Sequence, residues 1–68
     1  MIISIEHFTP REQDVLKLLV KGLNNIEIGK ILHLSPNTIK TNVSSILKKL
    51  SSKNRVAAAV RATIYKLV

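Results

Sequence analysis

The sequence contains no cysteine, which removes disulfide frameworks, thiolate zinc sites and thiol catalysis together. A reducing, cytoplasmic setting is the simplest expectation. Aromatic residues are nearly absent, with only Phe8 and Tyr65. Modules that bind single-stranded nucleic acid stack bases on aromatic platforms, so a duplex is the better-suited nucleic acid here. No apolar run approaches the roughly 18–20 residues that span a bilayer, and Met1 to His7 lacks the basic start and long apolar stretch of a signal peptide. Acid is scarce as well: Glu6, Glu12, Asp14 and Glu27 are the only acidic residues, and none follows Glu27.

What is present suits one small folded unit. Sixty-eight residues leave room for a single domain, 1–68, and none for a separate signal-sensing half. The chain is 46% hydrophobic with two glycines and two prolines, a composition set against a disordered basic tail. Its formal charge of +7 is unevenly placed: residues up to Glu27 sum to −1, and those from Ile28 onward sum to +8. An anionic partner is implied, and the surface that meets it belongs to the later part of the chain.

Capping signals divide the chain into four helices, an all-α fold, at about 10–21, 25–32, 36–50 and 55–67. Thr9-Pro10-Arg11-Glu12 opens the first with a capping box and a proline at the first helical position, and Gly22 supplies the left-handed residue that commonly ends a helix. Asn24 and Glu27 repeat the box before the second, inside which Gly29 marks a close contact. Ser35-Pro36 opens the third, whose stripe of Ile39, Val43, Ile46, Leu47 and Leu50 is the most sustained in the sequence. Asn54 caps the fourth. Its Val56, Val60, Ile64 and Leu67 are expected to serve the core and a contact with a second copy, because its alanines make other sides apolar as well.

The short second helix, the three-residue turn His33-Leu34-Ser35 and the longer third helix form the arrangement of a helix-turn-helix, whose second helix enters the major groove of DNA. On a helical wheel the side opposite the apolar stripe holds Asn37, Thr41, Ser44, Ser45 and Lys48, with Thr38, Lys40 and Lys49 on its shoulders. Short hydroxyl and amide groups allow close approach to base edges, and lysines reach phosphates. A merely solvated face would mix glutamate with its lysines. The expected DNA-binding residues are therefore Asn37, Thr38, Lys40, Thr41, Ser44, Ser45 and Lys48, joined by Asn25, where the amides opening the second helix can meet phosphate.

These segments carry a resemblance. Phe8-Thr9-Pro10-Arg11-Glu12 with Val15-Leu16, Gly22 to Ile28, Leu34 to Thr41, Lys49-Leu50 and Asn54-Arg55 together resemble the LuxR/GerE-type helix-turn-helix domain of bacterial transcription regulators, over nearly all of Phe8 to Lys66. The resemblance implies a four-helix response-regulator effector domain that binds promoter DNA as a homodimer. The third helix would lie in the groove and the fourth in the dimer contact, with RNA polymerase as a further partner in transcription.

Other classes fit less well. No nucleophile, base or ligand set stands at a workable spacing for an enzyme, and His7 and His33 have no partner at metal-ligand spacing, so neither a metal nor a cofactor is expected. Asn42-Val43-Ser44 matches a glycosylation triplet but falls in the proposed groove helix and reads as accidental. A sigma-factor-like promoter-recognition module shares the opening pattern of the first helix. A basic membrane-surface or protein-interaction module would rest on the fourth helix alone.

Overall fold

Each helix begins where a side chain satisfies an otherwise orphaned backbone amide. In the computed structural model, which describes residues 3–68, α1 (Pro10–Val20), α2 (Asn25–Leu32), α3 (Pro36–Lys49) and α4 (Arg55–Ile64) follow a single 3₁₀ turn at Ile5–His7. Thr9 Oγ1 accepts from the Glu12 amide at 3.1 Å and Glu12 Oε1 accepts from the Thr9 amide at 2.8 Å. Asn24 and Glu27 form the same reciprocal pair at 2.9 and 2.8 Å. Ser35 Oγ accepts from the Thr38 amide and Asn54 Oδ1 from the Ala57 amide. All four expected caps are present.

The helix ends depart further from the sequence pattern. Every helix is followed by a left-handed residue, yet only the first of these is glycine: Gly22 at φ 89°, then His33 at 59°, Ser51 at 50° and Lys66 at 57°. After α1, α3 and α4, two backbone bonds close the last turn; at the third site the Leu67 amide donates to the Ala62 carbonyl at 2.8 Å and the Lys66 amide to that of Thr63 at 3.1 Å. This paired closure satisfies the last carbonyls, so α4 stops at Ile64 instead of continuing to Leu67. The 3₁₀ turn carries no sequence signal of helix length; Gln13 Nε2 holds it against α1 by donating to the carbonyls of Ile5 and Phe8.

The core gathers Phe8, Val15, Leu16 and Leu19 with Ile28, then Ile39, Val43, Ile46 and Leu50 of α3 and its end, and Ala58, Ala62 and Leu67. Here two expectations need correction. The stripe Val56, Val60 and Ile64 is exposed, and α4 meets the core through Ala58 and Ala62. Small residues let the helix axes approach, so the larger β-branched ones are turned outward. Leu67, expected on a dimer contact, folds back into this molecule's own core behind the Lys66 turn. No helix among the described residues is long and apolar enough to cross a membrane.

Candidate nucleic-acid interface

The approach of α2 to α3 is set by the turn between them. His33 takes a left-handed conformation, its amide and that of Leu34 both return to the Gly29 carbonyl, and Ser35 caps the next helix immediately. Gly29 is buried at this corner, and a Cβ built there would lie 2.5 Å from the Leu34 carbonyl oxygen. A side chain would displace backbone, so the glycine is what permits a turn this tight. With Ile28 and Ile39 fully buried, α3 has one orientation against α2 and a defined outward side.

That outward side carries Asn37, Thr38, Lys40, Thr41, Ser44 and Lys48, all exposed. Their hydrogen-bonding states differ. Thr38 shares a 2.9 Å bond with the Ser35 hydroxyl, and Thr41 Oγ1 donates to the Asn37 carbonyl at 3.2 Å. The side chains of Asn37, Lys40, Ser44 and Lys48 make no hydrogen bond to another described residue. No carboxylate belongs to this helix, and its last turn holds Lys48 and Lys49.

Two of the residues expected on this surface are turned elsewhere. The Ser45 hydroxyl donates to Glu12 Oε2, and Lys49 Nζ sits 2.6 Å from Glu12 Oε1 and 3.0 Å from the His7 carbonyl. Lys49 also stands 5.5 Å from the Phe8 ring centroid. Ser45 is thereby withdrawn from the expected contact set. A wheel describes one helix in isolation and cannot tell which flank a neighbour covers; α1 covers the flank of Ser45 and Lys49.

Glu12 has a second, structural role that the sequence pattern concealed. Read only as a cap, it is 4% exposed and ties the start of α1 to the end of α3. Burial alone would raise its pKa. Hydrogen bonds from Lys49, Ser45 and the Thr9 amide, with the Lys49 charge, outweigh that effect and lower it to about 2. The sequence offered a carboxylate in α1 and, in α3, a serine and a lysine four residues apart, but only the packing of α1 on α3 joins them.

Asn25 is half-buried, and its side-chain carbonyl accepts from Arg55 Nη1 while Arg55 Nη2 donates to the Leu23 carbonyl at 2.8 Å. The side chain of Asn25 is therefore occupied in joining α4 to the opening of α2. Beside it, Ile26 is exposed. Of the expected dimer residues, Val56 is 74%, Val60 52% and Ile64 68% exposed. Among the described residues no group of three or more His, Asp or Glu converges as a metal site would require.

The model of the family described as bacterial regulatory proteins, luxR family, matches residues 6–62. The chain is a member of that family. Its four helices, without a strand among the described residues, are those of a LuxR-type helix-turn-helix domain, a DNA-binding regulatory unit. Among luxR-family relatives, it is 45% identical over 57 residues to the nitrate/nitrite response regulator protein NarL of Escherichia coli, covering 84% of this chain and 26% of that one. It is 40% identical over 63 residues to the response regulator protein VraR of Staphylococcus aureus, covering 93% of this chain and 30% of that one. The chain thus spans between a quarter and a third of the length of these relatives.

Proposed function

We propose that this luxR-family domain, acting as one unit over 1–68, binds specific double-stranded promoter DNA with α3 in the major groove and regulates transcription in the cytoplasm. The observation that carries this is the outward side of α3: six exposed polar or basic side chains, without an acid, on a helix locked from behind by Ile39, Val43 and Ile46. Asn37, Lys40, Ser44 and Lys48 are free to bond outward, Lys40 and Lys48 toward phosphate and the shorter groups toward bases. Thr38 and Thr41 complete the surface. At Asn25 the contribution falls to the backbone opening α2, since the side chain is held by Arg55.

The exposed Val56, Val60 and Ile64 suit a contact with a second copy, placing two α3 helices on two half-sites. That NarL and VraR are response regulator proteins supports the role of an effector unit, through which RNA polymerase recruitment would be altered. Selection of bound duplexes from a random pool at stated salt tests the reading. A motif with twofold symmetry, its half-sites about one helical turn apart, is expected. Failure of the folded chain to retain any duplex at low ionic strength would overturn it.

A further inference from the structure

We infer that Thr41 reads its base through its methyl group and not through its hydroxyl, making it a specificity-determining residue for thymine. The inference rests on the DNA-binding reading above. A threonine hydroxyl has one hydrogen to give, and Thr41 Oγ1 gives it to the Asn37 carbonyl one turn back, at 3.2 Å. With the oxygen drawn against its own helix, the methyl is the branch of Cβ left to the outward side of an exposed residue. Four residues from Asn37 and three from Ser44, Thr41 occupies the middle of the face that the free polar groups border.

An apolar knob at the centre of a polar reading surface has one complementary feature in the major groove, the 5-methyl group of thymine. Neighbouring Ser44 provides the contrast: no hydrogen bond to another described residue occupies its hydroxyl, so it remains the donor that Thr41 is not. Recognition would then divide along α3, with hydrogen bonding at Ser44 and Asn37 and an apolar contact between them. Loss of a single buried methyl contact corresponds to about a fourfold weaker complex per half-site, and about fifteenfold where both half-sites lose it.

The test uses the duplex selected by the intact chain, in which each thymine is replaced in turn by uracil, the same base without the methyl. Binding is measured for the native chain, Thr41→Val, which keeps the methyl, and Thr41→Ser, which keeps the hydroxyl. One thymine per half-site is expected at which uracil weakens the native chain by about fourfold, an effect retained by Thr41→Val and abolished by Thr41→Ser. A native complex indifferent to every uracil, or a preferred half-site without thymine, overturns the inference while the DNA-binding reading stands. So does a Thr41→Val chain that has lost the preference while Thr41→Ser keeps it. A native chain that binds no duplex defeats both together. The uracil scan of the native chain decides the matter even where a variant fails to fold.

Discussion

Glu12 has its pKa lowered to about 2, because three donors, one of them the Lys49 ammonium, favour its charged form over the cost of burial. Its folded pKa lies below the unfolded value, so its contribution is complete above about pH 4.5 and disappears as the pH falls toward 2. Glu12→Gln is expected to cost about 2–3 kcal/mol at pH 7, leaving Lys49 and Ser45 facing a neutral amide. Thermal unfolding at pH 7 and at pH 2.5 checks this: the gap between the two chains should narrow strongly in acid. The lysines of α3 then separate by role. Lys48→Ala should reduce the magnitude of the salt slope of duplex binding by about 0.9 per chain, whereas Lys49→Ala should lower the melting temperature and leave that slope unchanged. Equal effects of the two on the slope would contradict the division seen between an exposed Lys48 and a Lys49 bound to Glu12 and His7.

At the scale of helices, starts were legible in the sequence and stops were not. Thr9, Asn24, Ser35 and Asn54 are residue types whose side chains cap by their own chemistry, so four starts could be read directly. A left-handed stop announces itself in sequence mainly as glycine, and His33, Ser51 and Lys66 adopt it without that signal, where backbone bonds close the helix ends. The fourth helix was accordingly expected three residues too long. The polar side of α3 was legible as a pattern, but its trimming by α1 at Ser45 required the third dimension. Gly29 was legible as a close contact, though not with the Leu34 carbonyl. Gly29→Val is expected to destabilise the domain by about 2–3 kcal/mol through forced displacement of the turn, measured by denaturant unfolding. The surviving folded fraction should bind duplex more weakly, since the displacement falls between α2 and α3.

Across the whole molecule, the acid-free side of α3 and the exposed stripe of α4 belong to different helices, and the proposed function gives them separate roles. The double substitution Val56→Ser with Ile64→Ser touches two largely exposed side chains. It should change stability by less than about 1 kcal/mol. Binding to a single half-site should persist, while cooperative occupation of the symmetric site should be lost, as gel-shift titrations on half and full sites would reveal. That this stripe faces outward was hidden in the sequence by periodicity itself. Val56, Val60 and Ile64 repeat at the spacing of any buried helix face, and only the alanines opposite, fitted to the space beside α1, decide which side goes in.

The clasp of Glu12 on Ser45 and Lys49, with the glycine corner at the other end, ties α3 to its neighbours at both ends within the folded domain. Ordering entropy that an adaptable segment would lose on association has already been surrendered during folding. On the proposed DNA-binding reading, a wrong base would meet a template that cannot rearrange around it, and mismatch would be answered by faster dissociation instead of accommodation.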